Sequence, residues 1–411
     1  MLFVYNVFIN CYFTLIRIAA FFRKDAKKWV NGRAVFDQKI SEFSALKNSV
    51  WIHAASLGEF EQGRPLIEKI KSKFPNQKIV LTFFSPSGYD IQKNYSNADI
   101  VTYFLSDNKS DVKRMLELFK PSLVIFIKYE FWFHTIKEII DRKIPLVFIS
   151  TVMRKDSYLL NPIASQLLRL LARVDKIFLQ DKTSFKLLEQ REFRNIELVG
   201  DTRLDRVIEI ASQEFSDDII LHFISNRKVL VIGSLWESDL NVITLDLHNF
   251  IHEGWKIIIA PHKIEAQILK SIESIFYDKT SRYSSYENMD KQVLLIDQIG
   301  LLSRLYRFAD FVYIGGGFGQ GIHNILEPLA YCKPVAFGPK FHKFKEAEIA
   351  IEFAYGFEIN EAGELVAIAS KMTDSELKRH KQSIQEYLDQ NRDASEKIFQ
   401  YLQAKKWIPI C

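Results

Sequence analysis

A chain of 411 residues exceeds what one hydrophobic core usually supports, and at roughly 150 residues per domain it predicts two large domains. Its 48% hydrophobic and 26% charged residues, with 16 Gly and 11 Pro, exclude a low-complexity or disordered chain. The formal net charge of +5 is too small to imply nucleic acid and fits an anionic substrate or a membrane surface equally well.

From the amino end, Met1 to Phe22 is almost wholly apolar, interrupted by Asn6, Asn10, Thr14 and Arg17, and is followed by Arg23, Lys24, Lys27 and Lys28. A secretory signal carries its positive charge before the apolar run, so this order reads as an uncleaved membrane anchor over residues 1–28. The positive-inside rule then puts the basic flank, and everything after it, on the cytoplasmic side. Three arrangements are open: a span, which needs roughly 20 apolar residues; a helix lying in the interface, which the polar interruptions suit; and a helix buried against the first domain. Cys11, Cys332 and Cys411 lie far apart and form neither a CxxC pair nor a disulfide framework, which points to a reducing compartment.

From residue 48 onward, short β-branched or aromatic runs alternate with helical patterns, the signature of βα units and parallel sheets. The first set of strands reads Val50–Ala55, Lys78–Ser85, Ile100–Leu105, Leu123–Lys128, Leu146–Ser150, Lys176–Gln180 and Ile196–Val199. The second reads Lys228–Gly233, Trp255–Ala260, Gln292–Ile296, Phe311–Gly315 and Pro334–Phe337. The polar, helical stretch Leu204–Asn226 between them places a linker near residue 208. This predicts one domain over 29–208, a second over 209–390, and a C-terminal helix over 391–411 that could return to the first.

Ligands of open parallel sheets bind beyond the carboxyl ends of the strands, and polar residues gather at those positions in both halves. Glu59 follows Gly58 after the first strand and just before a helical pattern, where a helix dipole would keep it ionised as a general base must be. Pro65 prefers a first turn and predicts that the regular helix starts beyond Glu59, leaving it on a loop or in a first irregular turn. From spacing alone, a carboxylate that only stabilises the helix end is the simpler reading. Glu130, in Ile127-Lys128-Tyr129-Glu130-Phe131-Trp132, ends a strongly apolar strand, where a charge is costly unless paired or used. A salt bridge to Lys128 or to an arginine is the alternative.

In the second half, the glycines of Gly315 to Gly321 do not fall at GxGxxG spacing, so the segment is not a dinucleotide fingerprint. They could still let backbone N–H groups approach an anion, with a helix starting near Asn324 and Glu327 accepting both ribose hydroxyls. A tight turn with a capping Asn is the alternative. Pro261-His262-Lys263 and Arg203 supply positive charge at strand ends, which would stabilise a departing phosphate without a metal. No HExxH, Walker A, paired CxxC or Asp-x-Asp motif appears, so neither a metal nor another cofactor is expected.

These residues match a pattern along almost the whole chain: it resembles the bacterial Kdo (3-deoxy-D-manno-octulosonic acid) transferases of lipopolysaccharide assembly. Trp51 to Glu59 is similar to that family's W-x-H-A-A-S-x-G-E, Gly200 to Asp205 to G-N-x-K-F-D, and His323 to Pro328 to H-N-P-L-E-P. The resemblance implies an α/β chain of GT-B fold, two facing Rossmann-like domains with a deep interdomain cleft, plus an N-terminal membrane-associated helix. It implies Glu59 as catalytic base, with Glu130 and Arg203 stabilising the transition state. It also implies Pro261, His262, Ile299, Gly300, Leu301, Asn324, Ile325, Leu326 and Glu327 as the CMP site. The implied partners are CMP-Kdo, lipid IVA or a related lipid A precursor, and the inner membrane, with no nucleic acid.

Several positions depart from the pattern: Arg203 stands for a lysine, Trp236 for a histidine, Lys343 for an asparagine, Leu301 for a glutamate, and Pro261-His262-Lys263 is a loose P-R-H-P. They bear on the sugar and nucleotide contacts more than on the chemistry. The rival readings are a GT-B transferase using a UDP-sugar, a membrane-anchored nucleotide-binding protein without catalysis, and a nicotinamide-dependent oxidoreductase, which the missing GxGxxG disfavours.

Overall fold

The computed structural model describes residues 2–44, 46–154, 156–161, 164–286 and 290–408; Cys411 lies outside them. The chain divides into two compact units, one formed by Met1–Asp205 with Asn391–Cys411, the other by Arg206–Gln390.

The first unit is built on strands β1 (Ser49–Ala54), β2 (Ile79–Phe83), β3 (Ile100–Tyr103), β4 (Pro121–Ile127), β5 (Leu146–Thr151), β6 (Lys176–Leu179) and β7 (Ile196–Leu198), in the order β3-β2-β1-β4-β5-β6-β7. Every pairing in this sheet is parallel. A sheet covered on both faces needs strands apolar on both sides, and β1 and β4 sort by alternation. Trp51, Val124 and Phe126 join one core, while Val50, Ile52, Leu123, Ile125 and Ile127 join the other. The second core is completed by Ala394, Ile398, Phe399 and Leu402 of the C-terminal helix Ala394–Ala404. That helix is tied down by Asp205, which accepts from the Asp393 and Ser395 amides at 2.7 and 2.6 Å.

The second unit repeats the plan with β8 (Val229–Leu235), β9 (Lys256–Pro261), β10 (Thr280–Arg282), β11 (Val293–Leu295), β12 (Phe311–Ile314), β13 (Val335–Phe337) and β14 (Gly356–Glu358), ordered β10-β11-β9-β8-β12-β13-β14. The two strands that the sequence does not announce, β10 and β14, are three-residue edges. Each borrows its regularity from one neighbour and carries no apolar run of its own. In each sheet the strand order reverses direction once, between β1 and β4 and between β8 and β12. A crevice opens beyond the carboxyl ends of the strands at such points.

The N-terminal apolar segment forms the helix Leu2–Ala19. At about 1.5 Å per residue it reaches about 27 Å, short of the roughly 30 Å of bilayer hydrocarbon. Among the described residues no helix is long and apolar enough to cross a membrane. One face packs on the first unit through Ile9 and Phe13 against Trp29, Phe84 and Trp132. The opposite face leaves Phe8, Leu15 and Ile18 exposed, and Phe21 and Phe22 just beyond it are at least 85% exposed.

Candidate active site

At the switch point of the first sheet, His53 near the end of β1 is fully buried and reaches across to the chain leaving β4. Its Nε2 lies 2.8 Å from Oε2 of Glu130, and the indole N–H of Trp132 donates to that same oxygen at 2.6 Å. An indole can only donate, so Oε2 accepts from Trp132 and His53 Nε2 brings the second proton. Nδ1 of His53 is held by Thr82 Oγ1 at 2.9 Å, and Trp51 donates to that hydroxyl. Glu130 is therefore paired, by His53 and Trp132. Lys128 sits at φ 64°, a conformation costing a non-glycine residue about 1–2 kcal/mol, and this bend brings Glu130 back toward β1.

Glu59 belongs to the helix Leu57–Lys73 and lies in its first turn, the second of the two placements that the sequence left open. Pro65 is accommodated inside the helix. Oε2 of Glu59 accepts from the Ala55 amide at 2.6 Å, satisfying a free donor at the helix start. Burial first, and then the charge of Glu130, push its carboxyl above the ordinary carboxylate range. Desolvation thus outweighs the one amide hydrogen bond at the helix start.

Arg203 stands at the start of the helix Thr202–Ser212 and is engaged by Asp201, its Nη2 and Nε lying 2.6 and 3.0 Å from Oδ2. Asp201 is also held by Gln180 at 2.6 Å. The adjacent Thr202 hydroxyl donates to the Gln62 carbonyl at 2.5 Å, pinning this loop to the helix that carries Glu59. Glu59 and Glu130 thus stand within each other's field, and the Thr202–Gln62 contact ties the start of the Arg203 helix to the helix that carries Glu59.

In the second unit the switch point is lined by three stacked rings. Trp236, after β8, stacks on His262 at 4.3 Å and 15°, and His262 on His323 at 4.4 Å and 29°. Trp236 Nε1–H donates to His323 Nε2 at 2.9 Å, which leaves the proton of neutral His323 on Nδ1. Burial, with His262 alongside, pushes His323 down to about 4, and burial with Lys263 lowers His262. Both rings are uncharged near neutrality, so the positive charge at the end of β9 comes from Lys263 rather than from His262.

The glycine segment is not an open anion cradle. The amides of Gly315, Gly316, Gly319 and Gly321 are spent on Gly233 O, Asp239 Oδ2, Gly316 O and Gly316 O at 2.8, 2.8, 2.9 and 3.0 Å. Its glycines answer to close packing instead. A Cβ on Gly315 would stand 2.3 Å from the Ser234 carbonyl, and one on Gly317 2.5 Å from Gly338. Asp239, fully buried, organises this turn by also accepting from the Trp236 amide and the Tyr313 hydroxyl, at 2.9 and 3.1 Å.

The helix after it begins at Leu326, two residues beyond Asn324 as the sequence suggests, and runs only to Leu329. Asn324 caps it, its Oδ1 accepting from the Leu326 amide at 3.0 Å, and its Nδ2 reaches Glu327 at 3.3 Å. Burial outweighs that bond and raises Glu327 to about 7. Of the remaining proposed nucleotide contacts, Pro261 ends β9, Ile325 and Leu326 are buried, and Leu301 lies half-buried after β11. Ile299 is 94% exposed beside Gly300, which takes a left-handed φ of 94°. Thr82 and Asp239 were missed in the sequence because His53 and Tyr313, which they meet, lie on other strands 29 and 74 positions away, and Trp132 because its role depends on how Glu130, two residues earlier, is turned. An acid two or three residues after a strand-end turn was the only signal for Asp239.

Comparison with known proteins places these residues in context. Residues 29–206 match the family described as 3-deoxy-D-manno-octulosonic-acid transferase (kdotransferase). The 3-deoxy-D-manno-octulosonic acid transferase of Aquifex aeolicus is 28% identical over 334 residues, 80% of this chain and 86% of that protein. The one of Haemophilus influenzae is 24% identical over 382 residues, covering 86% of each. Among solved structures, UDP-GlcNAc 2-epimerase from Neisseria meningitidis superposes with a TM-score of 0.60 at 14% identity, covering 87% of this chain and all of that one. At that identity the likeness shows the GT-B fold alone.

Proposed function

We propose, from the premise that this chain belongs to the Kdo transferase family, that it transfers Kdo from CMP-Kdo to lipid IVA, a lipid A precursor, with inversion at the anomeric carbon. The observation that carries the reading is the state of Glu59. One carboxylate oxygen is fixed by the Ala55 amide, no hydrogen bond is made to the other among the described residues, and its proton affinity is raised. Once ionised, such a group is a positioned base of increased strength.

Glu59 takes the proton of the acceptor hydroxyl, that oxygen attacks the anomeric carbon, and CMP leaves in a single displacement. Arg203 offsets developing negative charge, while Glu130, oriented by His53 and Trp132, supports the oxocarbenium-like sugar. In the second unit Glu327 and Asn324 hold the ribose, and Lys263 with the Nδ1–H of His323 faces the phosphate. The reading uses no metal. The outward apolar face of the Leu2–Ala19 helix, with Arg23, Lys24, Lys27 and Lys28 behind it, rests in the interface of the inner membrane, with both units on its cytoplasmic side.

The test is to incubate the protein with lipid IVA and CMP-Kdo generated in situ and to weigh the lipid product. Absence of a Kdo-bearing lipid overturns the reading. Glu59→Gln should lower turnover about 10²–10⁴-fold and leave CMP affinity unchanged; near-normal turnover removes Glu59 from the role of base.

A further inference from the structure

The helix Phe133–Asp141 begins directly after the segment that carries Glu130 and Trp132, and its own N-cap residue, Trp132, makes no side-chain cap. The first turn of a helix exposes amides without partners, which must be satisfied from elsewhere when buried. Here three are met by distant residues. The Phe133 amide donates to the Tyr5 hydroxyl at 3.1 Å, the His134 amide to Asp107 Oδ2 at 2.9 Å, and the Thr135 amide to Asp107 Oδ1 at 2.8 Å. Tyr5 closes the arrangement by donating its own hydroxyl proton to Asp107 Oδ2 at 2.5 Å. One residue along the same helix, Asn6 Oδ1 meets His134 Nε2 at 2.6 Å.

Between this cap and Glu130 there is one residue whose conformation matters. Trp132 is stacked on Phe84 and Phe104 at 5.4 and 5.3 Å and donates its indole N–H to Glu130 Oε2. Phe13 and Trp29 pack on the same Phe84, at 6.3 and 5.6 Å, so the N-terminal helix touches Trp132 through its ring neighbours as well as through its backbone.

We infer that Tyr5 is a positioning residue for the reaction: through the Phe133 amide and Asp107 it fixes the backbone from which Trp132 orients Glu130. The Leu2–Ala19 helix is then part of the catalytic scaffold on its inner face, beyond any contact that its outer face makes with lipid. Asp107 is wholly buried, and burial raises it to about 6 despite four donors, so a lost donor there is not replaced by water. The effect of losing the Tyr5 hydroxyl is therefore passed to the helix start.

This inference rests on the Kdo-transfer reading for its kinetic arm only. Tyr5→Phe in the full chain keeps the ring against Phe133 and removes the hydroxyl. The expected result is a kcat lowered about tenfold, with KM for both substrates within about twofold, because the change disturbs the orientation of Glu130 and no substrate contact. A merely structural role would not move the second readout, the indole N–H resonance of Trp132 in 15N-labelled protein, identified by its loss in Trp132→Phe. It should shift upfield as the bond to Glu130 weakens.

An unmoved resonance, or an unchanged kcat, overturns the inference. If Tyr5→Phe does not fold, both readouts are taken on Asp107→Asn, which removes the acceptor shared by the Tyr5 hydroxyl and the His134 amide, under the same criteria. A wild-type protein that transfers no Kdo defeats the functional reading instead, and the resonance then decides the inference by itself.

Discussion

His53 Nε2 lies 2.8 Å from Glu130 Oε2, joining the end of β1 to the chain that leaves β4 with almost no solvent access. The two residues are 77 positions apart in sequence. Removing one member of a buried pair leaves the other desolvated and uncompensated, which typically costs about 3–5 kcal/mol. His53→Ala should therefore lower unfolding stability by about that amount in urea titrations. His53→Gln, which can still donate to Glu130, should recover a good part of it.

Glu59 lies within the field of Glu130, and both burial and that charge raise its proton affinity. With Glu59 as the proposed base, only its ionised form takes the acceptor proton, so kcat should rise with pH through an inflection above the ordinary carboxylate range. In Glu130→Gln one of the two raising influences is gone, so the inflection should move to lower pH whatever happens to the maximal rate. Initial rates between pH 4 and pH 8 at saturating substrates would show it; an unmoved inflection would mean that the titrating group is not Glu59.

Glu327, raised to about 7, is protonated below that pH and charged above it. A ribose hydroxyl donates more strongly to a carboxylate than to a carboxylic acid. CMP affinity should accordingly tighten as pH rises from about 6 to about 8, by up to about tenfold if only the ionised form binds. Glu327→Gln should flatten the curve. His323, at about 4, stays neutral over the whole window and contributes nothing to the change. Calorimetric titration with CMP at several pH values makes the measurement.

Ile398 in the C-terminal helix is fully buried in the core of the first unit. Truncating a buried isoleucine to alanine costs about 2–5 kcal/mol, and Ile398→Ala should show this as a lowered urea midpoint. Leu245, 57% exposed on the helix Glu237–His252, serves as control and should shift stability by less than about 0.5 kcal/mol when changed to Ala.

Much of the fold can be read along the chain because strands buried on both faces must be apolar runs, and runs such as Val50–Ala54 or Lys256–Ala260 announce themselves. Edge strands do not: β10 and β14 are half wetted, too short for a period, and set by pairing. The positions of Glu59, Glu130 and Arg203 beyond strand ends were equally legible, since a parallel sheet sends whatever follows its strands to one edge. Their states were not. Burial beside Glu130 raises the proton affinity of Glu59, and burial with Lys263 alongside lowers that of His262, leaving Lys263 to bring the charge of that strand end.

The sequence by itself determined where strands and helices form and which side chains arrive at the strand ends, because periodicity and turn chemistry act over a few residues. Only the tertiary structure decided what those side chains are. A proton affinity depends on how much water is excluded and which charges are near, and a buried amide is satisfied by whichever oxygen folding brings to it. Tyr5 closes the cap that follows Trp132 across 128 residues of chain, and no local pattern encodes such a contact.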